Sequence, residues 1–168
     1  AFEHQLWNQI KGIDINLVYQ VTVTPWGTVL IPDLNVKAFH NGKEIYFKLT
    51  YGDKTRNDVI SMAKFSDGAS IMFPLGDNDQ VKPESIMMGF QGKVNIWHWR
   101  AFEDREYWEG KTKRDPPSEI RPPVSDLIAT GIGTLTPKKE QRVSGRGYKT
   151  DDGWDIIFVR TCCPFATL

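Results

Sequence analysis

Cysteine is nearly absent from this chain. Cys162 and Cys163 are the only two, and they are neighbours near the C-terminus. Adjacent α-carbons lie ~3.8 Å apart, below the ~4.4–6.8 Å span usual for a disulfide. With no C-x-x-C pair and no C-x-x-C-H, zinc ribbons, iron–sulfur ligation and covalent attachment of a c-type haem are excluded. Two cysteines carry no information on redox compartment. Long apolar runs are lacking too: none approaches the ~18 residues of a membrane span. No N-terminal signal peptide is visible, and Ala1 in place of Met reads as a processed or trimmed start. Nor is there an excess of either charge, since 21 Lys+Arg balance 21 Asp+Glu. Without a basic surplus to neutralise phosphates, nucleic acid is not an expected partner. There is no internal repeat.

What remains is an ordinary globular chain. Its 168 residues make about one domain, which buries roughly two-thirds of its unfolded surface and needs no disulfide framework. Residues 1–168 are therefore read as a single domain. Strand signals dominate. Leu17–Val23 is β-branched and apolar, closed by Pro25-Trp26-Gly27. Val36–His40 and Glu44–Leu49 flank Asn41-Gly42, the strongest short hairpin signal. In the second arm Ile45, Phe47 and Leu49 point one way and Glu44, Tyr46, Lys48 and Thr50 the other, as in a half-buried strand. Ala69–Phe73 is a further strand, stopped by Pro74. Val94–Trp99 follows Gln91-Gly92, and Ile156–Arg160 follows Asp152-Gly153. Helix signals are weaker, at Glu3–Ile10 and Ala101–Trp108. Lys111–Pro123, with two Pro-Pro pairs, reads as a surface loop. The expected class is mostly β, an antiparallel β-sandwich with a few short helices.

Catalytic signals are few. His4, His40 and His98 are scattered, without metal-ligand spacing, and each reads as a surface or satisfied polar histidine. Ser144-Gly145-Arg146-Gly147 has no following helix to offer a phosphate and reads as a turn or bulge. Asp77/Asp79 and Asp151-Asp152 are turn carboxylates, too few for a Ca²⁺ loop. No nucleophile–base–orienter set is visible, so the chain is not expected to be catalytic alone.

One stretch stands apart. Ser85-Ile86-Met87-Met88-Gly89-Phe90 holds half of the four methionines, and Val94-Asn95-Ile96-Trp97-His98-Trp99 follows closely. A thioether is a soft, neutral ligand suited to haem iron or copper. On the strand, Asn95, Trp97 and Trp99 share one face and Val94, Ile96 and His98 the other. Two readings stand. An aromatic face beside a methionine loop can wall a flat apolar cofactor; equally, methionines fill core gaps and tryptophans bury large area.

Ser70-Ile71-Met72-Phe73-Pro74, Met87-Met88-Gly89 and Val94 through Ala101 together resemble the ethylbenzene dehydrogenase haem-b (gamma) subunit family. Val36–Ile45 resembles the family's hairpin, Gly131–Thr136 its glycine–threonine turn, and Asp152–Arg160 the strand that follows. The resemblance runs over roughly residues 30–160. Members are periplasmic b-type cytochrome subunits of molybdenum enzymes such as dimethylsulfide dehydrogenase, chlorate and selenate reductases and nitrite oxidoreductases. It implies a β-sandwich holding one non-covalent haem b, with a methionine and a lysine on the iron. The methionine carries over to Met88, with Met87 adjacent and Asn95, Trp97 and Trp99 as cofactor contacts. The family's lysine lies in a segment beyond the strand matching Ile156–Arg160, a segment this chain is expected to lack. The second axial ligand is thus unassigned, its sources being Lys138, Lys139, Lys149, a histidine, water or a partner. Lys138 and Lys139, beside Glu140, read as solvated.

The implied role is a periplasmic electron-transfer subunit, without a membrane span. Its implied partners are iron–sulfur and molybdenum catalytic subunits and a soluble cytochrome carrier. Two other readings are a non-catalytic carbohydrate-binding sandwich, stacking sugars on Trp26, Trp97, Trp99 or Trp154, and a haem-free structural subunit.

Overall fold

A computed structural model describes residues 5–19, 30–62, 64–75, 92–111, 119–131 and 133–161. The chain divides into two compact units, Ala1–Arg56 with Arg146–Leu168, and Asn57–Gly145.

The first unit is built on a five-stranded sheet in the order β1-β2-β3-β9-β8, of which β8 belongs to it from Arg146 on. Its strands are β1 (Ile13–Asn16), β2 (Asp33–His40), β3 (Glu44–Gly52), β8 (Val143–Lys149) and β9 (Gly153–Thr161). The β2–β3 hairpin turns at Asn41-Gly42 as the sequence predicts. Asn41 Oδ1 accepts the N–H groups of Lys43 (2.9 Å) and Glu44 (2.7 Å), while Gly42 takes φ 85°, which a side chain would resist. β9 lies antiparallel against β3, pairing Phe47 with Phe158 and Leu49 with Ile156. Leu49, Tyr51, Trp154, Ile156 and Phe158 are buried there.

The opposite side of β3 is not a solvent face. Tyr46 is buried with Ile157 and Val159 beneath Trp7. Trp7 comes from a short 3-10 helix, Gln5–Asn8, the only helix within the predicted Glu3–Ile10 among the described residues. Phe39 stacks on Tyr46 at 4.5 Å and meets Trp7 edge-on at 4.8 Å. Lys37 Nζ donates to the Trp7 carbonyl at 2.9 Å, pinning the 3-10 turn to the sheet.

The second unit holds a four-stranded sheet, β4-β5-β6-β7. The strands are β4 (Gly68–Leu75), β5 (Lys93–Arg100), β6 (Val124–Ala129) and β7 (Thr136–Pro137), all antiparallel. Helix α1 (Ala101–Glu109) follows β5 directly. It stops at Gly110, in the left-handed region at φ 63°, whose N–H bonds back to the Glu106 carbonyl. The mostly β, antiparallel class with little helix is what the structure has, and two antiparallel sheets are the components of a β-sandwich.

Several local expectations are corrected. Pro74 does not stop β4; it lies inside it, on a strand that is at the sheet edge among the described residues, where proline is tolerated. Ser144–Gly147 is not a turn but part of β8, an edge strand among the described residues. Leu17–Tyr19 are not in a strand, and the rest of that predicted strand lies outside the described residues; the strand in this region is Ile13–Asn16.

Candidate functional site

β5 is the middle of the second unit's sheet and carries three of the predicted site residues. Antiparallel register puts Asn95, Trp97 and Trp99 on one face, opposite Phe73, Ile71 and Ala69 of β4 and Ile128, Asp126 and Val124 of β6. All three are buried. Their polar atoms are closed off inside the unit. Trp97 Nε1 donates to Asn95 Oδ1 at 3.0 Å. Asn95 Nδ2 donates to Asp126 Oδ1 at 2.5 Å and to the Leu127 carbonyl at 2.8 Å. Lys138 Nζ then reaches Asp126 Oδ2 at 3.1 Å, and Trp99 Nε1 donates to Asp104 Oδ2 at 2.5 Å. Phe73 packs against the Trp97 indole, centroids 4.6 Å apart. Burial of Trp97, Trp99 and Trp154 leaves none of them as an open platform on which a sugar could stack; Trp26 lies outside the described residues.

The other face of the same sheet is apolar. Val94, Ile96, Leu127 and Ala129 are buried together, with Met72 packed against them. His98 extends this face, between Ser70 of β4 and Ser125 of β6 in the register. Its Nδ1 lies 2.5 Å from Ser70 Oγ. Burial, followed by the charge of Arg100, lowers its pKa to about 4. His98 is therefore a neutral imidazole at physiological pH.

Met88, the predicted axial donor, and Met87 beside it lie outside the described residues. Of the lysines weighed as a second donor, Lys138 is tied to Asp126 rather than solvated. Lys149 gives its three protons to the carbonyls of Asp53 (2.7 Å), Thr150 (2.9 Å) and Gly153 (3.2 Å). Both act as ammonium donors, whereas iron ligation takes the lone pair of a neutral amine. Lys139 is exposed, as is His40.

Among the described residues no three His, Cys, Asp or Glu side chains gather to hold a bare metal ion. A porphyrin makes a different demand: it brings four nitrogens of its own and asks for apolar walls and one or two neutral donors. The β4–β6 cluster of Met72, Val94, Ile96, Leu127 and Ala129 has the apolar character of such a wall. Sequence reasoning missed Asp126 and the Ser70–His98 contact. A carboxylate inside the apolar run Val124–Ala129 was the available signal.

Comparison with known proteins gives a consistent picture. A family model described as ethylbenzene dehydrogenase matches residues 4–110. The chain is 29% identical over 135 residues to chlorate reductase subunit gamma of Ideonella dechloratans, covering 80% of this chain and 48% of that protein. It is 24% identical over 158 residues to a Haloferax mediterranei protein provisionally named as a respiratory nitrate reductase heme subunit, covering 93% of this chain and 50% of that one. The chain thus spans about half the length of the curated relatives it matches.

Proposed function

The chain belongs to the ethylbenzene dehydrogenase family, and from that premise we propose that it is a haem-carrying electron-transfer subunit of a multisubunit oxidoreductase, not itself catalytic. One relative is named as a subunit of chlorate reductase and another as a heme subunit. The observation that carries the reading is the match to the heme-subunit relative over 93% of this chain, joined to the apolar β4–β6 face that suits a porphyrin. In finer detail the group is one non-covalent haem b, and the complex is a periplasmic molybdenum enzyme. Its iron–sulfur subunit exchanges electrons with this chain, and a soluble cytochrome is the external carrier.

When bound, the haem supplies one-electron Fe(II)/Fe(III) exchange. The chain's own residues hold it and set its potential. Met88 would hold the iron through its thioether, and Gly89 after it would leave that approach without a side chain. Met87, beside it in the sequence, is the competing donor. Asn95, Trp97 and Trp99 act through their closed hydrogen-bond set, which keeps β5 stiff and leaves no indole N–H to be desolvated against the porphyrin.

Met88→Ala and Met87→Ala, each purified with haem, test the assignment by absorption spectrum and redox potential. Met88→Ala is expected to lose the low-spin thioether signature and Met87→Ala to keep it. Met88→His is expected to lower the potential, because a neutral thioether favours Fe(II). The reverse pattern moves the ligand to Met87; no change in either variant makes the pair ordinary core.

A further inference from the structure

We propose that the loop between Asn57 and Asp67 is the finger by which this chain docks on a partner subunit, into an apolar recess with an acidic rim. The inference rests on the subunit reading above and adds the surface that does the docking.

The described residues of the loop are tied at several points. Its ends are tied together: the Asn57 N–H donates to Asp67 Oδ2 at 2.8 Å and the Asp67 N–H to the Asn57 carbonyl at 2.7 Å. Closed ends over this length make a compact Ω-type loop. Helix α1 fixes it further. The Ala101 N–H donates to the Asp67 carbonyl (2.9 Å) and the Phe102 N–H to Ser66 Oγ (3.0 Å). The loop thereby satisfies two of the helix's otherwise orphaned N-terminal donors. Arg105 Nη1 reaches the buried Asp58 at 3.2 Å. At the tip, Ser61 and Lys64 exchange two backbone hydrogen bonds, 3.3 and 3.2 Å.

All this order presents apolar side chains to water. Met62 is 109% exposed and Phe65 95%, with Val59 and Ile60 about half exposed beside them. Single exposed apolar residues are normal, but four on one pinned loop form a patch of the kind that marks an interaction site. The charges select the occupant. Asp58 and Asp67 are turned inward to Arg105 and Asn57, so Lys64 is the exposed ionisable side chain between Asn57 and Asp67 among the described residues. A second copy docking through the same loop would set Lys64 against Lys64 with no exposed loop carboxylate to offset it. An anionic membrane surface calls for several cations, and this loop offers one. A protein face with an apolar recess and an acidic rim matches both features.

The test uses the complex purified from its native host through an affinity tag on this chain, the other subunits being identified by mass spectrometry. With Phe65 replaced by p-benzoylphenylalanine, ultraviolet light is expected to cross-link the chain to an oxidoreductase subunit. The double variant Met62→Ser/Phe65→Ser is expected to cut recovery of that subunit at least tenfold, and Lys64→Glu to weaken it, with the chain's own melting temperature unchanged. Leu135→Ser, at another exposed position, is expected to leave recovery intact. Full recovery with the double variant overturns docking through this loop while the subunit reading stands. Cross-links confined to copies of this chain overturn it likewise. So does Met62/Phe65-dependent sedimentation with phosphatidylcholine/phosphatidylglycerol vesicles alongside an intact complex. If no oxidoreductase subunit accompanies the wild-type chain, the subunit reading fails and the docking proposal with it.

Discussion

His98 makes stability depend on pH. Its pKa is lowered to about 4 in the fold, by burial first and by Arg100 second, against about 6.5 when unfolded. Between those values the unfolded chain binds the extra proton, so stability rises with pH across that window. The contribution is complete above about pH 6.5 and is lost as the pH falls toward 4. Allowing for its partial exposure, it is on the order of 2 kcal/mol. Urea unfolding at pH 7 and pH 4.5 is expected to show a larger loss for wild type than for His98→Gln; equal losses would refute the effect. Asp126 works by a different route. It is fully buried and accepts from Asn95 and Lys138. Asp126→Ala strands both donors and is expected to cost about 3 kcal/mol, with Asp126→Asn milder. A urea midpoint for Asp126→Ala equal to wild type would count against the network. Neither residue's role could be read from sequence. Asp126 stands out in Val124–Ala129, but its partners lie on β5 and beyond β7, and only strand register brings them together. Lys138 looks solvated beside Glu140 until Asp126 is placed opposite it.

At the scale of elements, local chemistry was legible where the signal was local. Asn41-Gly42 marked the β2–β3 hairpin, and the strand Val94–Trp99 became β5 with one residue added at each end. Signals failed where tertiary position decided. Pro74 and the glycines of β8 read as breaks, yet both lie on edge strands, where a lost donor or a missing side chain costs little. The alternation put Tyr46 on the face with Glu44 and Lys48, and its burial there depends on Trp7, which is far away in sequence. The β3–β9 pairing supplies a sharp test. A Cβ on Gly153 would sit 1.9 Å from the Tyr51 carbonyl oxygen, while one on its partner Gly52 would meet nothing nearer than 3.8 Å. Gly153→Ala must push backbone apart and is expected to cost about 2–3 kcal/mol. Gly52→Ala is expected to stay within about 0.5 kcal/mol of wild type. Thermal unfolding of the pair checks the register, and equal melting temperatures would contradict it.

At the scale of the whole molecule, the family was legible from the order of short motifs along the chain, and the match over residues 4–110 establishes it. The ligand set was not legible to the same degree. Met88 was proposed from a motif, whereas two of the three lysines weighed are already engaged, Lys138 by a carboxylate and Lys149 by three carbonyls. Among the described residues no helix is long and apolar enough to cross a membrane. A neutral chain with a pinned apolar loop is expected to elute from its native source with other subunits, and elution only as a single chain at mild salt would count against the subunit role. The most direct measurement is a potentiometric titration of the purified protein followed at the Soret and α bands. A single reversible one-electron transition of a low-spin b-type haem is expected, and a protein with no Soret absorption at any potential would contradict the haem-carrying role.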